Sequence, residues 1–394
     1  AGNGDHQGFG RVGGDGVMKV SLTDICDFQG GTQPPKDEWI DQPAQGYVRM
    51  LQIRDFTQSD KNYIEYVKDT GKLKTCIEDD ILIGRYGASI GKILTGLAGA
   101  YNVAIVKTIP DEKVVSKKYL YWYLNSQYFQ RFISNVGSRA AQAGFNKNDL
   151  GAAQIPLVDK ERQEEICEVL EKANKLISLR KQQLAKLDEL IKARFVEMFG
   201  TFPANPFRWD TGKIQDVVSD VRYGSSRPAV EGGKYPYLRM NNITYSGELD
   251  LRDTKRIDIP DSELDKCTVR RGDVLFNRTN SKELVGKTCV YNRNELMVLA
   301  GFVIRVRINE RIRPEVLSAF LNMDFSKRML IGMCKTAIGQ ANINAKELQN
   351  IDLYIPPIEL QDQFVALKNK IDQQKQTVQQ SLDKLELMKK ALMQ

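Results

Sequence analysis

The chain has 394 residues, enough for two or more domains with sizeable cores, and its 42% hydrophobic and 27% charged content is that of a folded globular protein. No run of about 18 apolar residues occurs, which argues against a membrane span. Six scattered cysteines without a C-x-x-C pair and a single histidine, His6, argue against disulfide scaffolds, thiolate zinc sites, Ser-His triads, Cys-His proteases and His-dependent nucleases, and for a reducing cytoplasm.

Residues 1–17 are rich in glycine and lack an apolar core, so they are expected to be an expression-tag remnant outside the fold. A first region of mixed structure is expected over 18–157. Short β-rich runs at 47–53, 80–83 and 103–108 are separated by Gly, Asn and Pro, and one helix carries Tyr119, Tyr121, Trp122, Tyr123 and Phe129. Those aromatics fit core packing better than base stacking. A polar loop at 137–148 follows, and Pro156 stops the preceding segment.

A helical spacer is expected over 158–199. Ile166, Leu170, Ala173, Ile177, Leu184, Leu187, Ile191 and Met198 fall at mostly three- and four-residue steps, interrupted by Arg180 and Arg194, with Asp159 as N-cap. Gly200, Pro203 and Pro206 break the helix and open a second mixed region over 200–356, with β-rich runs at 237–243, 273–276 and 302–308, a helix at 316–329 and a polar loop at 334–344. The chain closes on a second helical spacer over 357–394. Its seam is Leu360, Phe364, Leu367, Ile371, Val378, Leu385 and Leu392, with Gln374 as the interruption. Each helix would reach roughly 50–60 Å. Residues 159–198 carry nine basic and nine acidic side chains, and 359–394 carry six and five. The net charge of +7 therefore sits on the two mixed regions, which suits a polyanion partner.

The second half repeats the first. Gly30-Gly31-Thr32-Gln33-Pro34 answers Gly224-Ser225-Ser226-Arg227-Pro228. Tyr47-Val48-Arg49-Met50 answers Tyr237-Leu238-Arg239-Met240, and Asp80-Ile81-Leu82…Arg85 answers Asp273-Val274-Leu275…Arg278. Gly91-Lys92 answers Gly286-Lys287; Gln142, Asn146 and Leu150 answer Gln340, Asn344 and Leu348; Ile155-Pro156 answers Ile355-Pro356 before each long helix. The fold class expected is α+β, with two similar mixed α/β domains separated by two long antiparallel coiled-coil-like helices in a pseudo-two-fold arrangement. Such a body would be a ruler with a reading head at each end.

Three duplicated features resemble the DNA-specificity subunit of type I restriction–modification systems, over essentially all of residues 18–394. They are the Asp-Ile/Val-Leu…Arg order, the polar loop before Ile-Pro, and the glutamine-rich helix start (Arg162-Gln163-Glu164-Glu165-Ile166; Leu360-Gln361-Asp362-Gln363-Phe364). The resemblance implies two target-recognition domains, each reading half of a bipartite double-stranded DNA target. It implies helical regions that set the unread gap and dock two methyltransferase subunits, which restriction/translocase subunits can join. It also implies a non-catalytic chain that binds no cofactor or metal itself, with S-adenosylmethionine, ATP and Mg on the partner subunits. Shortening both helices by one heptad would then change the gap and leave the half-sites alone.

Candidate DNA contacts lie on the three repeated loops, where short polar and basic side chains suit base edges and phosphates. They are Thr32, Gln33, Arg85, Tyr86, Ser89, Lys92, Arg139, Gln142, Asn146 and Lys147 in the first copy. In the second they are Ser225, Ser226, Arg227, Arg278, Asn280, Lys282, Lys287, Lys335, Gln340, Asn342 and Asn344. Gly87–Lys92 imitates a phosphate-binding loop but is one residue short and has Ile93 where Ser or Thr belongs, so a strand-entry turn is the better reading. Pro110-Asp111-Glu112-Lys113 has the wrong spacing for a nuclease centre. Two other readings are a coiled-coil scaffold whose heads bind proteins and a stand-alone DNA enzyme; the second lacks any visible catalytic cluster.

Overall fold

The computed structural model of the chain describes residues 18–58, 64–139, 144–337 and 340–393. The stretch 1–17, with His6, and the candidate Gln142 lie outside these residues. The chain divides into two compact units, one of 1–179 with 381–394 and one of 180–380, so each unit holds one copy of the repeat and part of both long helices.

Three sheets are common to both units, and the second adds a three-stranded one of Thr279–Asn280, Gln340–Asn342 and Lys335–Ala337. In the first unit, Cys26–Gly30, Ile105–Pro110, Leu82–Gly84 and Ile93–Leu94 form an antiparallel sheet in that spatial order. In the second, Val218–Tyr223, Val303–Ile308, Val274–Asn277 and Thr288–Val290 do the same. A second sheet of Tyr66–Lys68, Tyr47–Leu51, Gly99–Tyr101 and Thr75–Cys76 has a parallel pair at its centre, Met50 opposite Ala100. Its counterpart is Lys255–Ile257, Tyr235–Leu238, Met297–Leu299 and Thr268–Val269, again parallel at the centre. A two-stranded sheet, Met18–Ser21 with Gln154–Leu157 or Asp210–Lys213 with Asp352–Ile355, closes each copy beside its long helix.

The four-stranded antiparallel sheet is the central one of each unit, and its inner strands Leu82–Gly84 and Val274–Asn277 are buried on both faces, which is why they read as short apolar runs. Alternate residues serve alternate cores. Ile81, Ile83 and Val106 pack with the helices, while Leu82, Leu94 and Ile105 pack with the second sheet. In the second unit Val274, Phe276, Ile304 and Val306 take the helix side, and Leu275, Cys289 and Val303 take the other.

Several sequence expectations need correction. The single helix expected in each copy is two: Lys117–Leu124 and Gln127–Arg139, and Pro314–Asn322 and Asp324–Met333. Asn125 and Met323 interrupt the run. The strands expected over 47–53 and 237–243 stop at Leu51 and Leu238, because a side chain three residues on takes over the next backbone donor. Gln52 N–H donates to Asp55 Oδ2 at 2.8 Å, and Arg239 N–H to Asn242 Oδ1 at 2.9 Å, starting a helical turn in each copy. The second polar loop contains a hairpin, Lys335–Ala337 with Gln340–Asn342. The aromatics Trp122, Tyr123 and Phe129 are core residues, as expected.

The long helices run Lys160–Phe199 and Ile358–Leu392. Asp159 caps the first, its Oδ1 accepting from Arg162 N–H at 2.8 Å. Each helix is pinned to its own head by one buried glutamine. Gln163 accepts from Ser116 N–H at 2.9 Å and donates to the carbonyls of Val114 and Val158; Gln361 accepts from Arg313 N–H at 2.7 Å and donates to those of Arg311 and Pro356. In the second unit the helices are antiparallel, with Phe364 edge-on to Phe195 and Phe199 at centroid distances of 5.6 and 5.4 Å. Arg180 and Arg194 bond Gln183 and Glu197 on their own helix; Arg194 is exposed, whereas Arg180 is half-buried with its Nε out of solvent. Nor is Gln374 the break in the second seam: it is exposed, and Lys375 occupies the seam between Ile371 and Val378.

Candidate nucleic-acid interface

Three segments meet at one end of the strands of each central sheet. In the first unit Gly31 N–H donates to Ile105 O at 3.1 Å and Thr32 N–H to Tyr101 O at 3.0 Å. Arg85 N–H donates to Ala104 O, its Nε to Phe145 O at 2.9 Å, and Tyr86 bridges Gly144. In the second unit Gly224 and Ser225 donate to Val303 O and Leu299 O. Arg278 lies over the Tyr223 ring, 4.9 Å from its centroid; Ile343 N–H donates to Arg278 O, and Ala345 N–H to the Tyr223 hydroxyl. The chain turns sharply at both first segments because only glycine fits: a Cβ on Gly31 or on Gly224 would stand 2.1 Å from a backbone carbonyl oxygen. This pairing corrects the repeat alignment by one residue. Gly31, not Gly30, corresponds to Gly224, so Thr32 matches Ser225 and Gln33 matches Ser226.

The candidate residues divide by what they already do. Gln33, Tyr86, Lys92, Ser226, Lys282 and Asn342 are exposed, and Ser89 and Asn280 are half-buried, the latter accepting from Ser281 N–H. Thr32 Oγ1 is buried without a hydrogen-bond partner, and so is Arg278 Nε. Lys147 and Arg227 are exposed cations paired with Asp27 and Glu263. Asn146 and Asn344 are helix caps, with their Oδ1 atoms accepting from Asp149 and Glu347 N–H at 3.1 and 2.9 Å. Ser225 is buried, its Oγ accepting from Arg227 N–H. Lys287 is also buried; its ammonium donates to Met240 O at 3.0 Å, and burial lowers its pKa. Lys287 therefore points inward, unlike the exposed Lys92 of the first copy. Arg139 ends the helix Gln127–Arg139, and Lys335 and Gln340 stand in the hairpin strands. The turn at 84–92 is a β-hairpin connection, with Gly84 N–H to Lys92 O and Gly91 N–H to Gly84 O, as its strand-entry reading requires.

Beneath each hairpin lies a residue that the sequence reading passed over. Gln130 Nε2 donates to Gly91 O at 2.9 Å, and Lys327 Nζ donates to Gly286 O at 2.5 Å. Their matched places, one residue before Arg131 and Arg328, were the available signal. Burial, then the charges of Lys192 and Lys287, push the Lys327 ammonium down from 10.5 to about 7. Between those values the unfolded chain holds the extra proton, so stability rises with pH across that window. Lys327→Gln, which copies the first head, should abolish this. Wild type minus variant unfolding free energy should climb from pH 7 towards pH 10 and stay flat below pH 7. A flat difference throughout would show that Lys327 stays charged in the fold.

Among the described residues no group of three or more His, Cys, Asp or Glu side chains is placed to hold a metal ion, and no helix is long and apolar enough to cross a membrane. The cysteines are free.

Two copies of one mixed α/β head, each closed by a long helix pinned through a glutamine, match the description "Type I restriction modification DNA specificity domain" over residues 14–189 and 206–387, and the chain belongs to that family. Among its relatives, the type I restriction enzyme EcoKI specificity subunit of Escherichia coli (strain K12) is 21% identical over 66% of this chain and 60% of its own length. The putative MjaX specificity subunit of Methanocaldococcus jannaschii is 26% identical over 48% of this chain, which spans 45% of that relative. The MjaVIII specificity subunit of the same organism is 24% identical over 95% of this chain and 90% of its own length. The fold is shared with a chain solved in work on complex assembly and conformational transition of the type I R-M system (TM-score 0.59, 17% identity, 96% and 97% of the two chains). It is shared also with the type I restriction–modification S subunit from M. genitalium (TM-score 0.51, 15% identity, 97% and 96%).

Proposed function

We propose that this chain reads a bipartite double-stranded DNA target, one half-site per head, as the non-catalytic specificity subunit of a type I restriction–modification complex. The observation that carries the reading is the duplicated convergence of three polar segments at the same end of the central sheet, with different side chains in the two copies. Gln33, Arg85, Tyr86 and Ser89 line one such end where Ser226, Arg227, Arg278, Asn280 and Asn342 line the other, as two unequal half-sites require. Cations supply phosphate contacts and amides supply base contacts. Lys147 and Arg227 would exchange their carboxylate partners for phosphate on binding.

The long helices set the gap between half-sites and dock two methyltransferase subunits, to which restriction/translocase subunits add. Methyl transfer and ATP-driven steps belong to those partners. S-adenosylmethionine, ATP and Mg bind there, and the complex acts in the cytoplasm.

The test is to sequence the methylome of a host with and without this chain. A two-part motif that vanishes gives both half-sites and their gap. Purified chain with methyltransferase subunits should then bind a duplex of that motif far more tightly than one with scrambled half-sites, with affinity falling steeply as salt rises. Equal binding to both duplexes would end this reading.

A further inference from the structure

The second long helix carries a buried charge where its apolar seam should continue. Lys375 lies between Ile371 and Val378 with only 9% of its side chain exposed. Its ammonium pairs with two carboxylates at once: Asp188 on the antiparallel helix and Glu248 on a loop of the second head. At the corresponding place in the first copy, reckoned from Gln163 and Gln361, stands Ile177, an ordinary buried apolar residue. Apolar packing alone would therefore serve the helix pair, and the lysine needs a different explanation.

The geometry around it supplies one. The Glu248 loop is stiff: Thr244 N–H donates to Glu248 O and Glu248 N–H to Thr244 Oγ1, both at 2.9 Å. Gly247, at φ +84°, lies so close to Thr288 O and Asn322 that a Cβ there would stand 2.9 and 2.5 Å from them. The loop is thus a fixed part of the head. Cavities of about 320 and 380 Å³, both lined by Glu248 and Lys375, flank the contact. Lys375 is a strut across a hollow junction.

The same head is also fixed to the helices at its base, through the core around Phe364. Eleven residues separate Phe364 from Lys375, about 16 Å along the helix. A body held at one point can pivot; held at two points this far apart, it cannot. Charged groups with carboxylate partners on two elements also select one register, as buried polar residues do in helical seams.

We propose that Lys375 is a positioning residue that fixes the angle of the second head on the helix pair and thereby restricts the gap between half-sites that the complex accepts. This rests on the reading of the chain as a bipartite DNA reader. No contact between Lys375 and DNA is involved.

The test uses the assembled complex with its methyltransferase subunits. Methyl incorporation is measured on duplexes carrying the methylome-derived half-sites at the native gap, or at gaps one base pair shorter or longer. Lys375→Met should reduce the preference for the native gap on the order of tenfold, the scale of one lost close-contact interaction, while preference for the correct half-sites over scrambled ones stays intact. Lys375→Arg should keep the wild-type gap preference. Glu248→Gln, on the head side and in a half-exposed position, should shift the preference in the same direction as Lys375→Met and decides the matter should Lys375→Met not assemble. Unchanged gap preference in the folded variants, or an equal loss of gap and half-site preference, overturns the inference. Wild-type complex indifferent to the half-sites themselves would instead overturn the bipartite reading.

Discussion

Phe364→Ala should lower the unfolding free energy of the second unit by about 3–5 kcal/mol, the range for emptying a core aromatic site. The ring is 1% exposed and stands edge-on to both Phe195 and Phe199, so its loss removes apolar burial and two aromatic contacts together. Those two phenylalanines sit on the antiparallel helix. Denaturant unfolding followed by amide exchange would locate the effect. Exchange should quicken at the junction of 191–199 with 360–367 before it quickens in the head's second sheet. A loss below about 1 kcal/mol would mean that the site collapses freely and the aromatic trio does not hold the helices together.

Gln361→Leu should cost roughly 3 kcal/mol or more, although it swaps one buried side chain for another of similar size. The glutamine is fully buried and serves three backbone groups: Arg313 N–H, Arg311 O and Pro356 O. A leucine would leave all three unsatisfied away from water, and each such group costs about 1–3 kcal/mol. Gln361→Glu should be no better, because a carboxylate has no N–H for the two carbonyls. Gln163→Leu should do the same to the first unit. The measurement is unfolding free energy at neutral pH for each variant. If Gln361→Leu is near neutral, water replaces the amide and the helix start is not anchored by it.

Much of this fold was legible because duplication reads twice. The two helices, their starts, the Asp159 cap and the order of repeated segments followed from apolar spacing and from matched punctuation. Side-chain roles were harder. A capping asparagine and a base-reading asparagine are the same short amide in a polar segment. Only the acid three residues on, Asp149 or Glu347, marks Asn146 and Asn344 as members of reciprocal caps. The aspartate repeated in the two copies, Asp80 and Asp273, is likewise internal. Asp80 accepts from Ile77 N–H and pairs with Lys107, as Asp273 accepts from Arg270 N–H and pairs with Arg307. Burial raises the Asp80 carboxyl, and the Lys107 ammonium and Ile77 N–H more than reverse it, holding the group below the usual carboxylate range.

Two features could not be read without coordinates. Gln374 and Lys375 are equally plausible interruptions of a seam, because period alone cannot fix which of two adjacent polar residues turns inward. The partners that decide it, Asp188 and Glu248, are far away in sequence. The one-residue error in matching Gly30 to Gly224 had a similar origin. Two adjacent glycines, Gly30 and Gly31, are interchangeable as punctuation, and only the approach of the Asn102 carbonyl singles out Gly31.

The membership of the first unit bears on the order in which the protein can be finished during synthesis. That unit comprises 1–179 and 381–394, and the late segment contributes directly: Lys389 donates to Asn174 at 2.7 Å, its ammonium lies 5.1 Å from the Trp122 ring, and Met393 packs at the core. Everything between must leave the ribosome before those contacts form. At about 5–20 residues per second that is a wait of roughly 10–40 s. Throughout it the aromatic surface around Trp122 stands uncovered, while the second unit has all its residues as soon as Gln380 emerges. The half translated first is therefore the half completed last.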